Sequence, residues 1–241
     1  MRIPPSTTTI GKLLRLPLRI VPRERPVPIL AGPLRGWRWI PASAPHGCWL
    51  GTFERAEQDL VARIVRPGDV IYDLGAHAGF YTLLASKLTG PTGRVVAFEP
   101  VPRNLGYLRR NLALNHCENV TVVAAAVADR SGTARFQEGP LTTVGTLAHE
   151  AGNEGGYDVQ VVALDDYDGP APRVIKMDVE GAEAAVLRGA RRVLREVRPI
   201  VLLSTHSTAL REECVALLRE AAYGVGPMGG DPADLIATPE P

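Results

Sequence analysis

Lysine is almost missing from this chain. Lys12, Lys87 and Lys176 are the only three, so arginine supplies nearly all of the 27 basic residues. These are offset by 26 acidic residues, which leaves a formal net charge of +1. So weak a field excludes a protein that tracks a phosphate backbone by bulk electrostatics, and no nucleic-acid partner is expected. Cysteine is sparse as well: Cys48, Cys117 and Cys214 are odd in number and far apart. The absence of any CxxC pair excludes a zinc knot or a disulfide framework, and reduced thiols in a cytoplasmic compartment are the expectation. Long apolar runs are missing too. Nothing approaches the ~20 residues of a membrane span, so no transmembrane segment is expected. Near the N-terminus, Lys12, Arg15, Arg19, Arg23 and Arg25 interrupt the leucines that a signal peptide would need unbroken. Pro17 and Pro22 oppose a long membrane-surface helix there, and a plain N-terminal arm is the favoured reading. A GxGxxG dinucleotide fingerprint is absent, which weighs against an NAD(P)-dependent oxidoreductase.

What is present suits a buried core: 45% of the 241 residues are apolar and 22% charged, both ordinary for a globular chain. Residues 1–50 are rich in proline and irregular by pattern, with a short strand or hairpin around Trp37–Ile40. They read as an arm or lid, and residues 51–241 as one catalytic-sized domain. There, Leu60, Val61, Ile64 and Val65 mark a helix stopped by Pro67-Gly68. Apolar strands follow at 69–74, 94–99, 120–126, 174–178 and 200–204, with helices over 81–88, 105–112 and 182–197. Two shorter β segments within 131–163 flank a glycine-rich loop near 139–156. Strands alternating with helices predict an α/β fold, a doubly wound and mostly parallel sheet covered on both faces.

In such sheets ligands bind beyond the carboxyl ends of the strands. After the first core strand stands Asp73-Leu74-Gly75-Ala76-His77-Ala78-Gly79, a DxGxxxG turn whose glycines admit close backbone approach and whose helix amides suit a carboxylate. Glu99, followed by Pro100, ends the second strand about 20 residues beyond the glycines, where a carboxylate accepts hydrogen bonds from ribose hydroxyls. Ala126 and Val127 offer small side chains beside a flat base. Asp178 and Glu180 stand where a ligand's reactive end and a second substrate would meet, and Glu183 reads as a carboxylate in the first turn of a helix. His206 follows the 200–204 strand on the same rim and has the ordinary titration range of a general base. His46, with Trp37, Trp39 and Trp49, suggests a flat apolar surface or a pinned segment. No metal site is evident, beyond acids near 178–183 that could bind a divalent ion opportunistically.

Three stretches carry a family resemblance: Val70 to Thr82 around the glycine turn, Val96-Ala97-Phe98-Glu99-Pro100 leading to Asn104 and Asn111, and Ile175-Lys176-Met177-Asp178-Val179-Glu180-Gly181-Ala182-Glu183. Through them the chain resembles the FkbM family of methyltransferases. The resemblance implies a class I, Rossmann-like fold dependent on S-adenosyl-L-methionine. It also implies O-methylation of a hydroxyl on a sugar or natural-product small molecule. Carried over by position, Asp73, Gly75 and Gly79 line the methionine end, Glu99 holds the ribose, and Asp178 and Glu180 face the methyl-transfer site; His77, Pro100, Asn104, Ala126 and Val127 are further cofactor-binding candidates. Asp178 spans cofactor and reaction, and Asp178, Glu180 and His206 are the catalytic candidates. Position 77 holds His where the family pattern has Asn, and Ser204-Thr205 stand where family members carry an acid before the histidine. Two rival readings are a scaffold that keeps the fold without turnover and, behind it, the oxidoreductase. An oligomer is left open.

Overall fold

The computed structural model describes residues 21–138, 145–148, 156–229, 231 and 233–241. Most of the 139–156 loop, expected to help shape a pocket, and the basic segment before residue 21, read as part of a plain N-terminal arm, lie outside the described residues. No described helix is long and apolar enough to cross a membrane.

In chain order the strands are β1 (Val27–Pro28), β2 (Arg38–Trp39), β3 (Val70–Leu74), β4 (Arg94–Phe98), β5 (Val120–Val123), β6 (Ala125–Val127), β7 (Gly132–Glu138), β8 (Gly145–Ala148), β9 (Tyr157–Val162), β10 (Val174–Met177), β11 (Ile200–Ser204), β12 (Tyr223–Pro227) and β13 (Asp234–Pro239). The α-helices are α1 (His46–Leu50), α2 (Arg55–Ile64), α3 (Phe80–Thr89), α4 (Pro102–Leu114), α5 (Glu183–Arg188) and α6 (Thr208–Glu220). The main sheet has seven strands in the order β12-β13-β11-β10-β3-β4-β5. All neighbours from β11 to β5 pair in parallel, and β13 enters antiparallel between β11 and β12. The doubly wound, mostly parallel α/β sheet is therefore present. Its core lies on both faces. Leu83, Leu84, Val95 and Leu108 pack on one side; Leu74, Phe98, Ile175, Val186 and Leu203 pack on the other. Two-sided burial is why these strands are apolar throughout.

Two expected elements are broken by tertiary packing. The single strand expected over 120–126 stops at Val123. Ala125–Val127 then leaves the main sheet and pairs in parallel with β9, in a second sheet of order β6-β9-β7-β8. A small core of Val101, Ala126, Phe136, Val159 and Val161 holds this sheet. The single helix expected over 182–197 ends at Arg188. A Cβ on Gly189 would lie 2.1 Å from the Ala128 carbonyl oxygen, so the chain presses against another backbone at that point. The Asp165 carboxylate then accepts from the amides of Arg192 and Val193, each at 2.9 Å, and starts a separate π-type turn at Val193–Val197. Those two hydrogen bonds satisfy the orphan amides of a new helix start.

The described part of the segment before residue 51, residues 21–50, packs on the same core. Ile29, Leu34, Trp39, Ile40, Cys48 and Trp49 are buried. Trp39 meets Phe80 edge-on, with ring centroids 5.8 Å apart. Asn111 of α4 and Asn115, which caps its C-terminus, act as substitute backbone. Asn115 accepts from the Arg38 amide and donates to the Arg38 carbonyl, both at 2.8 Å. Asn111 accepts from the Ile40 amide at 3.2 Å and donates to the Ala78 carbonyl at 2.9 Å. The β2 edge is thereby paired with a helix rather than another strand.

Candidate active site

The turn after β3 is pressed into the end of β10. Gly75 has φ +80, and a Cβ there would sit 1.9 Å from the Asp178 carbonyl oxygen. The amides of Gly75 and Ala76 both donate to the Phe98 carbonyl, at 3.0 and 2.9 Å, which ties the same turn to β4. Three strand ends thus meet around one small turn.

Glu99 closes the next corner. It is 4% exposed. One oxygen accepts from the His77 amide at 2.8 Å; the other accepts from the Val101 amide at 2.8 Å and from Asn104 Nδ2 at 3.2 Å. Burial raises its pKa, and these hydrogen bonds work against that rise. Asp73 is also buried. Its Oδ2 accepts from Thr82 Oγ1 at 2.5 Å, while Oδ1 has no partner within the protein. His77 Nε2 and Asn104 Oδ1 are buried and unpartnered too.

These orphan atoms belong to residues that line one cavity of about 760 Å³ at the carboxyl ends of the strands. Asp73, Gly75, His77, Glu99, Pro100, Asn104, Ala126, Val127, Asp178, Glu180 and His206 all contribute to its wall. Gly79 is the exception among the expected site residues. It stands before α3 at φ +92, and a Cβ there would meet Leu108 Cδ1 at 2.5 Å. It is a packing glycine between α3 and α4.

At the far end the side chains converge on His206. Its Nδ1 lies 2.9 Å from Glu183 Oε1; its Nε2 lies 3.1 Å from Glu180 Oε2 and 3.5 Å from Asp178 Oδ1. The hydrogen bond to Glu183 comes first in pushing the ring up to about 9, and Glu180 adds to the rise against a smaller effect of burial. A histidine held there is an imidazolium at neutral pH. The expectation that His206 titrates in its ordinary range as a free base is corrected by this contact. Glu183 also has more than the helix-start role read from sequence: its Oε1 accepts from the Gly181 amide at 3.0 Å and holds the ring as well.

The wall contains residues that sequence reading did not single out. Lys176 is buried, with Nζ 3.6 Å from Asp178 Oδ2 and 4.5 Å from the centre of the Tyr81 ring. Burial alone would lower its pKa, but Asp178, Glu57 and Asp73 outweigh that and raise it. Glu54 accepts from the Tyr81 hydroxyl at 2.9 Å. Behind it Glu57 is 3% exposed, and burial pushes its carboxyl up to about 8. The signal was available, because Glu57 stands four residues before Val61 and so on the buried face of α2. His46 is not part of the cavity wall; its Nδ1 accepts from Trp49 Nε1 at 3.1 Å.

Glu57 gives a pH dependence of known sign. Between the ordinary carboxylate value of 4.5 and about 8, the folded chain keeps a proton that the unfolded chain has released. The group therefore opposes folding increasingly as pH rises through that window, by a few kcal/mol at most. Urea unfolding should show lower stability at pH 8.5 than at pH 5.5, and Glu57→Gln should flatten the difference. An unchanged slope in that variant would exclude Glu57 as its source.

An antiparallel strand inserted beside the edge of an otherwise parallel sheet, with a glycine turn and carboxylates gathered at the strand ends, defines the Rossmann-like methyltransferase fold. Residues 73–225 match the Methyltransferase FkbM domain, and the chain belongs to that family. It is 28% identical to the hexuronic acid methyltransferase AglP of Haloferax volcanii, over 69% of this chain and 70% of that protein. It is 30% identical to the 31-O-demethyl-FK506 methyltransferase FkbM of Streptomyces tacrolimicus, over 67% of this chain and 75% of that one. In fold it resembles the SAM-dependent O-methyltransferase of Thermotoga maritima. The TM-score is 0.54 and the identity 15%, over 90% of this chain and 78% of that one.

Proposed function

We propose that this protein is an S-adenosyl-L-methionine-dependent methyltransferase that methylates a hydroxyl of a sugar or natural-product small molecule. The observation that carries the reading is the single cavity, which joins the Gly75–Glu99 corner to the Asp178–Glu180–His206 end. Its walls fit an adenosyl amino acid. The unpartnered Asp73 Oδ1, His77 Nε2 and Asn104 Oδ1 leave polar capacity for a ligand that an apolar guest would not use. Asp73, Gly75 and His77 would hold the amino-acid end, Glu99 and Asn104 the ribose, and Ala126 and Val127 the base. The names of the two curated relatives, a hexuronic acid and a 31-O-demethyl-FK506 methyltransferase, support a small-molecule acceptor.

Bound S-adenosylmethionine supplies a methyl group on a sulfonium, already activated for displacement. The chain supplies position and proton handling. Asp178 and Glu180 orient the acceptor hydroxyl and take up its proton; Glu180 is half-buried, and burial raises its pKa, making it a better base than an ordinary carboxylate. His206, held by Glu183, stands between the two carboxylates and fixes their positions. Trp39, Phe53 and Tyr81 close the apolar side of the acceptor space. Residues 27–50 act as the fixed part of the expected lid.

Calorimetric titration with S-adenosylmethionine and separately with NADH tests the cofactor. Micromolar binding of the first and none of the second is expected; the reverse would sink the reading. With an acceptor found from a hydroxyl panel, Glu180→Gln should lower kcat by about 10²–10⁴-fold with little change in cofactor affinity. Unchanged turnover would remove Glu180 from proton handling.

A further inference from the structure

We infer that Asp178, Glu180 and His206 form a binding site for one divalent cation of the Mn²⁺ or Mg²⁺ type at the acceptor end of the cavity. The inference rests on the proposed methyltransferase reading only for what the ion would act on; the site itself follows from the side chains. One ligand atom from each of the three residues lies within 4.8 Å of the other two. His206 Nε2 stands 3.1 Å from Glu180 Oε2 and 3.5 Å from Asp178 Oδ1. Adjacent ligands on a six-coordinate ion with bonds of about 2.1–2.2 Å are roughly 3.0 Å apart, so these spacings need little adjustment.

The second observation is Glu183. Its side chain is 0% exposed, its Oε1 points at His206 Nδ1 from 2.9 Å, and its Oε2 has no partner. A buried carboxylate on Nδ1 directs the other ring nitrogen, Nε2, toward the two remaining carboxylates. This is the outer-shell arrangement that metal-ligating histidines almost always have. Three carboxylates face one imidazole, and among the described residues the other cation paired with them is Lys176, 3.6 Å from Asp178 Oδ2. The three carboxylates thus gather negative charge that a divalent ion bound among them would offset. Two carboxylate oxygens and one imidazole suit Mn²⁺ or Mg²⁺ better than a soft thiolate-seeking metal. The cluster lines the cavity, so the ion's open positions face the acceptor, where a coordinated hydroxyl becomes more acidic.

The test uses the full chain stripped with EDTA and titrated with Mn²⁺, followed by loss of the free-ion electron paramagnetic resonance signal. A parallel calorimetric titration with S-adenosylmethionine is run on the same preparation. One Mn²⁺ per chain is expected, with selective paramagnetic broadening of the His206 ring signals in the unmodified protein. Asp178→Asn and Glu180→Gln should each abolish saturable binding, and Glu183→Gln should weaken it about 10–100-fold. Cofactor binding without Mn²⁺ binding, or Mn²⁺ binding that leaves the His206 signals sharp, overturns the metal site and leaves the methyltransferase reading intact. Mn²⁺ binding that follows the variants, without cofactor binding, keeps the site and overturns that reading.

Discussion

Gly75→Ala is expected to cost about 2–5 kcal/mol of stability and, under the proposed function, to abolish cofactor binding. Two independent penalties meet at this position. The backbone sits at φ +80, where a side chain adds roughly 1–2 kcal/mol, and the new methyl group would lie 1.9 Å from the Asp178 carbonyl oxygen. The obstacle is backbone at the end of a core strand, so no rotamer change relieves it, and overpacking of this kind costs a further 1–3 kcal/mol or so. Relief requires the β3 turn and the β10 end to separate, which opens the corner where Asp73 and Asp178 flank the cavity. Gly36→Ala is the control, because Gly36 has φ +88 but no atom within 4 Å of the added carbon. Scanning calorimetry should show a small loss for Gly36→Ala and a drop of about 10 °C for Gly75→Ala. Equal losses would mean that the close approach to Asp178 contributes nothing.

Glu99→Ala should be nearly as damaging, and it separates two roles. The carboxylate accepts from two backbone amides and from Asn104 while almost fully buried. Its removal strands the His77 and Val101 amides, at about 1–3 kcal/mol each. A loss of roughly 3 kcal/mol in urea unfolding is therefore expected without any ligand. Under the proposed function the same variant weakens S-adenosylmethionine binding by about 100-fold or more, since hydrogen bonds to a charged group contribute about 1.5–3 kcal/mol each. Glu99→Gln keeps one acceptor oxygen and should recover part of the stability. If Glu99→Ala folds as well as the parent protein, the carboxylate does not organise this corner. If it destabilises the chain and leaves cofactor affinity intact, the ribose assignment fails alone.

Much of this was legible before any coordinates. All-apolar runs such as 70–72 and 200–203 announce strands covered on both faces, and residues placed just after such strands must reach one rim. That is why Asp73, Glu99, Asp178, Glu180 and His206 come together in the cavity wall. What escaped depends on contacts between distant parts of the chain. Nothing local in 120–126 shows that β6 will leave for a second sheet, because its partner strand lies more than thirty residues further on. The apolar spacing of 186–197 is continuous, and the break at Gly189 comes from the Ala128 carbonyl and the Asp165 carboxylate. Gly79 looked like a ligand-approach glycine but makes room for Leu108. The proline-rich segment hid its burial, since Asn111 and Asn115 complete its hydrogen bonds where strand neighbours would be sought. The shifted titration of His206 likewise depends on Glu183, 23 positions away.

The stretch shared with the family begins at residue 73. Yet Trp39, Ala44, Pro45, Cys48, Phe53 and Glu54, all upstream of it, form part of the cavity wall. The chamber wall therefore has two parts: a strand-end floor inside the family-matched residues, and a tryptophan-bearing side panel contributed by residues before them.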